Sequence, residues 1–197
     1  MQEIFLKEKI VLGLAVVAFF MLTHYSTNYL SKLRNVQRCT ALPVDNRLPF
    51  IPKLVYFYLF TYLFNTVFLF LMIYTKELHD FLRVVRMMIA MIVAGGAFYI
   101  IFPTKVIKPS PEQKEDISQS LVSYHNTHIL PYNAFPSLHV AFSIVTVLLA
   151  FQFEFSFRYL YLIILFMIAF SALFTKQHYI LDIVAGLILG ALIFLVF

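Results

Sequence analysis

Residues 133–139, Asn-Ala-Phe-Pro-Ser-Leu-His, and residues 176–182, Lys-Gln-His-Tyr-Ile-Leu-Asp, carry the side chains that could do chemistry. Each segment opens a long apolar run, so His139 and His178 each stand at the mouth of a helix. His178 and Asp182 are four residues apart, on one helical face, where a carboxylate can orient an imidazole. An imidazole titrates near neutrality and can act as nucleophile, acid or base. Two such rings and an orienting carboxylate, in a chain this apolar, point to chemistry on a lipid headgroup.

The elements that must position them follow from the apolar runs. Taking about 20 apolar residues as a crossing, the chain reads as spans over 10–29, 54–74, 84–102, 138–153, 159–175 and 179–197. The fourth and fifth are short and form a tight helical hairpin. Longer loops cover 31–53 and 103–136. The expected fold is therefore all-α and integral to the membrane, a six-transmembrane-helix bundle in a single domain over 1–197. If the fourth span starts on one side, X, the fifth returns there and the sixth starts there. His139 and His178 then share a membrane face with both long loops.

Pro136 and Ser137 are placed to begin the fourth helix. The exposed N–H groups and positive dipole end of that helix would attract a phosphate. His139 would sit in its first turn, able to protonate a leaving oxygen. Asp182 lies about one turn inside the sixth span, where an ionisable group is costly and is usually paired or functional. His125 and His128 fall in the second long loop and read as solvated residues, with a metal site shared with His139 or His178 as the other reading. No zinc spacing such as His-Glu-x-x-His is present, and the metal expected is none. His24 and His79 read as incidental. Gly186-x-x-x-Gly190, flanked by alanines, reads as a face for close helix packing.

Composition agrees with a membrane chain: 61% of residues are hydrophobic and 13% charged. Cys39 is the sole cysteine, which excludes an intrachain disulfide and a cysteine-based metal site. No cleavable signal peptide is evident, and 13–22 reads as part of the first span. The net charge of +5 suits anionic headgroups. The expected partners are a membrane and a lipid phosphate, with no nucleic acid. Side X carries Lys32, Arg34, Arg38, Arg47, Lys53, Lys105, Lys108, Lys114 and Lys176; side Y carries Lys7, Lys9, Lys76, Arg83, Arg86 and Arg158. That raw count puts X in the cytoplasm, whereas the density over the shorter Y loops slightly favours Y.

The motifs resemble those of the type 2 phosphatidic acid phosphatase superfamily. Pro136-Ser137-Leu138-His139 is similar to its Pro-Ser-Gly-His motif, and Ser171 with His178 and Asp182 to its Ser-Arg-x5-His-x3-Asp motif. The chain departs from the pattern at Leu138, at Ala172 where an arginine is usual, and in lacking a Lys-x6-Arg-Pro motif. Phe135 to His139, together with Asp45-Asn-Arg-Leu-Pro-Phe-Ile-Pro52, resembles the branch of inositol phosphorylceramide and sphingomyelin synthases. The resemblance implies a six-helix fold, His178 as nucleophile, Asp182 as its orienting partner and His139 as acid toward the leaving group. It also implies a cytoplasmic N-terminus and a site on the extracytoplasmic face of the cell (inner) membrane.

Lys105, Lys176 and the Ser137 helix start are the candidate phosphate ligands in place of the missing arginines, with Lys108 ranked below them. The expected function is a lipid phosphatase or phosphotransferase working through a phosphoryl-histidine, without a cofactor. Hydrolysis ranks above transfer, because the 103–136 loop reads as a wet cover. The alternatives are a metal-dependent hydrolase using His125, His128 and His139, and a non-catalytic lipid-binding or transport protein.

Overall fold

In lipid every backbone N–H and C=O must find a partner inside the protein, and for apolar text of this length the helix is the solution. The computed structural model describes residues 2–109 and 116–197 and is all helical; an isolated bridge between Lys105 and Tyr132 is the extended pairing among the described residues. The helices are α1 (Gln2–Leu33), α2 (Val55–Thr75), α3 (Leu78–Ile101), α4 (Ile117–His128), α5 (Leu138–Gln152), α6 (Arg158–Phe174) and α7 (Ile180–Val196). Lys114, counted above for side X, lies outside the described residues.

α1, α2 and α3 are long and apolar enough to cross a membrane. α5, α6 and α7 are apolar but have 15, 17 and 17 residues. At 1.5 Å per residue they reach about 22–26 Å, against a hydrocarbon core of about 30 Å. Large apolar side chains such as Leu22, Phe166, Phe170 and Val196 are exposed around the outside, while Met72, Met87, Met91 and Ala141 are fully buried. An apolar exterior around an apolar core is the pattern of a lipid-solvated bundle.

α7 packs most closely on α5. A Cβ at Gly186 would collide with the carbonyl oxygen of Ser137, and one at Gly190 with that of Ala141. Only glycine allows this approach of two backbones, as the Gly-x-x-x-Gly spacing suggested. Ser137 N–H donates to Asp182 O at 2.9 Å, which fixes the starts of α5 and α7 side by side.

Three boundaries differ from the hydropathy reading. α1 runs Gln2–Leu33, past both ends of the expected 10–29. α3 begins at Leu78, ahead of the expected 84, because Phe81 is buried and extends its inner face past the charged residues. The 103–136 segment is not wholly loop: it contains α4. Asp116 caps α4 by accepting Gln119 N–H at 2.9 Å, and Ser118, Val122 and His125 form its buried face at helical spacing.

Candidate active site

His178 begins where α6 has ended. Lys176 takes a left-handed conformation (φ 55°), and Gln177 and His178 N–H both donate to Ala172 O, at 3.0 and 3.1 Å. The turn is clamped from outside by the Lys176 ammonium, which donates to Asp45 O at 2.7 Å and Leu48 O at 2.8 Å. Buried Asp45 in turn accepts Ile180 N–H at 3.0 Å through Oδ1 and Leu42 N–H at 2.7 Å through Oδ2. A carboxylate on the free N–H groups of a helix start satisfies donors that have no partner in the helix itself. The 45–52 segment thus sets the position of α7.

The buried His178 ring points at the loop before α5. Its Nδ1 lies 3.1 Å from Ala134 O and 3.6 Å from Asp182 Oδ2. A carbonyl can only accept, so Nδ1 carries the proton and Nε2 presents its lone pair. Nε2 lies 3.4 Å from His139 Nδ1, and His139 Nε2 lies 3.0 Å from the Tyr62 hydroxyl. The two imidazoles expected to share a face therefore meet edge to edge.

The 133–137 loop that presents Ala134 is pinned at each residue. Asn133, at φ 58°, donates to His24 O and Thr27 Oγ1 at 2.9 and 2.8 Å. Phe135 N–H donates to Thr104 Oγ1 at 3.0 Å, and Tyr99 OH to Pro136 O at 3.0 Å. Below, Ser143 Oγ donates to His139 O at 2.8 Å and accepts from Asn65 Nδ2 at 3.2 Å, steadying the first turn of α5. Asp182 is wholly buried: Oδ2 accepts Tyr179 N–H at 2.8 Å, and Oδ1 accepts the Thr40 hydroxyl at 2.6 Å. Asp182 thus serves its own helix start and Thr40, and faces His178 at slightly more than hydrogen-bond distance.

The histidine pair opens into a polar cavity whose lining includes His24, Tyr58, Lys108, His125 and Gln177. No Asp or Glu lines it among the described residues. The half-buried Lys108 has its ammonium 3.4 Å from Ile129 O, and burial pushes its pKa down to about 8. His139, Tyr62 and Phe20 also line an apolar groove between α1, α2, α3 and α5, together with Val17, Met21 and Leu69. One ring thus borders both a cationic chamber and an apolar channel.

The candidate phosphate ligands do not gather there. Lys105 turns outward, with Nζ 3.4 Å from Gln37 Oε1. Lys176 is committed to the carbonyls of Asp45 and Leu48. Ser137 caps α5 as expected, but its buried hydroxyl makes no hydrogen bond and it does not line the cavity. Lys108 is the lysine that lines it. His125, expected in solvent, is buried against the cavity, and His24 joins it from α1. His128 stacks on Tyr124, with its Nδ1 at Tyr124 O, so the His125, His128 and His139 trio does not assemble. Among the described residues no group of three or more His, Cys, Asp or Glu side chains is placed to hold a metal ion. Thr40 and the Ala134 carbonyl had no motif to mark them. For His125 a signal existed: Asp116 at N-cap spacing before Val122 and His125 on one face.

The family model described as the PAP2 superfamily matches residues 45–196. No curated protein and no solved structure matches the chain.

Proposed function

Because the chain belongs to the PAP2 superfamily, whose members are phosphatases and phosphotransferases, we propose that it is a multi-pass membrane enzyme acting on a phosphate-linked lipid headgroup through a phosphoryl-histidine intermediate. The observation that carries this reading is the contact of His178 Nε2 with His139 Nδ1 at 3.4 Å, with the His178 proton held on Nδ1 by Ala134 O. A nucleophile, an acid and a positive chamber coincide at one point.

In the first step the Nε2 lone pair of His178 attacks phosphorus, and the bond from phosphorus to the headgroup or lipid oxygen breaks. Protonated His139 gives its proton to that departing oxygen. The phosphorylated ring is now cationic. Ala134 O and the Asp182 carboxylate face its Nδ1–H and stabilise it. Neutral His139 then takes a proton from water as the water oxygen attacks phosphorus. The phosphorus–nitrogen bond breaks, phosphate (from a monoester) or a phosphate monoester (from a diester) leaves and His178 is regenerated. Lys108 supplies positive charge to the phosphoryl oxygens through this cycle. Of the earlier candidates, Lys105 and Lys176 would need rearrangement to reach the same oxygens.

The apolar groove that shares His139 with the chamber supports a lipid as substrate, since a chain could lie there while its phosphate meets the rings. On this reading the chain makes six crossings, with α5, α6 and α7 completed by the irregular segments at their ends, and the site lies at one face. By resemblance this is the extracytoplasmic face of the cell membrane.

A second reading, transfer to an alcohol, gains from one observation. α4 presents a buried face toward the chamber, so the cover is drier than a solvated loop, and excluding water favours another acceptor. The likeness of 135–139 and 45–52 to inositol phosphorylceramide and sphingomyelin synthases points the same way. Purified protein in detergent, given a panel of phospholipids, should release phosphate or form a new lipid and acquire an acid-labile, alkali-stable phosphoryl label. His178→Ala should do neither. A fully active His178→Ala protein ends the phosphoryl-histidine mechanism.

A further inference from the structure

We propose that His125 is a second ligand of the substrate's phosphate, sharing it with Lys108, so that α4 is part of the binding site and not only its cover. This assignment rests on reading the chamber as a phosphotransfer site.

His125 is only 7% exposed, yet neither ring nitrogen has a hydrogen-bond partner. An imidazole left in that state is expensive, because its lost contacts with water are not replaced. The ring stands edge-on to Tyr58, with centroids 5.4 Å apart at 90°. Tyr58 also packs against His139, with centroids 5.2 Å apart, so His125 and the acid share an aromatic neighbour.

The groups facing His125 come from several elements. Lys108 lies on the segment after α3, His24 on α1, and His178 and Gln177 on the turn before α7. Gln177 Nε2 is bound to Asn126 Oδ1 at 2.9 Å, and its buried Oε1 has no partner. Burial and then Lys108 bring the His125 pKa down to about 4, and the nearby Asn126 side chain, outside hydrogen-bond geometry to either ring nitrogen, acts the other way. At neutral pH the ring is therefore uncharged, with one N–H to donate. Every charged neighbour is cationic or potentially so, and the cavity lining holds no carboxylate among the described residues. A phosphate bearing negative oxygens would satisfy the His125 donor and the Lys108 ammonium together.

A packing role and a binding role predict different outcomes for His125→Leu. An apolar side chain of similar size removes a buried unsatisfied group, so thermal stability should hold or rise. Loss of a hydrogen bond to a charged oxygen should raise KM and the Ki of inorganic phosphate by about tenfold or more. Changes in kcat should be smaller. His125→Phe keeps the edge contact with Tyr58 without the donor, and carries the same expectation if the leucine variant does not fold. His125→Gln, which keeps a donor, should lie between these variants and wild type. Lys108→Gln should combine non-additively with His125→Phe, because both residues hold one phosphate. Isothermal calorimetry of inorganic phosphate in a His178→Ala background reads binding apart from turnover. Unchanged KM and phosphate Ki in His125→Leu or His125→Phe, in preparations that still turn over lipid, overturn this assignment and leave the functional reading standing. If the wild-type protein neither turns over any lipid phosphate nor binds inorganic phosphate, the functional reading falls and takes the assignment with it.

Discussion

Thr40 donates its hydroxyl to Asp182 Oδ1 at 2.6 Å, tying the segment after α1 to the first turn of α7 across 142 positions of sequence. Thr40 lies outside the 45–196 stretch that matches the family model, yet it holds the carboxylate nearest His178. It touches neither imidazole, so it acts through Asp182 as a positioning residue. Removing a hydrogen bond to a charged group costs about 1.5–3 kcal/mol where the group is buried. Thr40→Val should therefore lower kcat by about tenfold or more with little change in KM, and Thr40→Ser should restore it. Steady-state kinetics on the purified variants decide this: a valine variant with wild-type kcat removes Thr40 from the site.

Two groups face His178 Nδ1: Ala134 O at 3.1 Å, within hydrogen-bond distance, and Asp182 Oδ2 at 3.6 Å, just beyond it. On the proposed mechanism the carbonyl holds the tautomer and the carboxylate adds charge. His178→Ala and His139→Ala should each lower activity by about 100-fold or more. Asp182→Asn should lose less than His178→Ala, because the Ala134 carbonyl still holds the proton on Nδ1. The asparagine variant should also melt at a lower temperature, since one amide oxygen cannot accept from both Tyr179 N–H and Thr40. Thermal melting and turnover measured on the same preparations check both halves. An Asp182→Asn protein as inactive as His178→Ala would show that the carboxylate charge, not the tautomer, dominates.

Lys108 should give the site a pH dependence on its alkaline side. Burial holds its pKa down to about 8, below the ordinary value of 10.5. The free enzyme should therefore lose a cation as pH rises through about 8, and kcat/KM, which reports free-enzyme groups, should fall there. Lys108→Arg, which stays charged, should carry the plateau to higher pH. Lys108→Gln should show a low kcat/KM without that limb. The stability effect has the opposite sense: the folded state binds fewer protons at this group than the unfolded chain between about pH 8 and 10.5. Lys108 therefore destabilises the fold less as pH rises through that window. A limb at pH 8 that persists in Lys108→Gln would assign it to another group.

The parts of this site that were legible in the sequence are those with a period or a fixed spacing. His139 and His178 each precede or open an apolar run and meet at 3.4 Å, while Asp182 faces His178 from four residues on, although His178 lies on the turn before α7 and not on its helix. Gly186 and Gly190 marked a face for close helix packing, and the structure supplies α5 as its partner. The lysines failed this kind of reading. Lys105 and Lys108 sit three apart in an irregular segment, where spacing fixes no direction, and one turns outward while the other enters the chamber. α4 was hidden because hydropathy averages over its solvent face, although Asp116 and the 118, 122, 125 spacing mark it. Ala134 had no side-chain signature, since the group that orients His178 is a backbone carbonyl.

Sidedness can be read from a native residue. Cys39 is exposed and unpaired, one residue before Thr40, so it belongs to the same membrane face as Asp182 and the histidines. The basic count of nine against six would place that face in the cytoplasm, while the resemblance places it outside. Basic residues near this face also serve other ends, as Lys176 does on the carbonyls of Asp45 and Leu48, and such residues weaken a rule based on translocation alone. The resemblance is therefore the better guide, and the site should face outward. A membrane-impermeant maleimide applied to intact cells should label Cys39, and Cys39→Ala should abolish the signal. No added labelling should appear on permeabilisation, because the chain has no second cysteine to expose. Labelling that requires permeabilisation would move the histidine pair to the cytoplasmic face and require a substrate available in that leaflet.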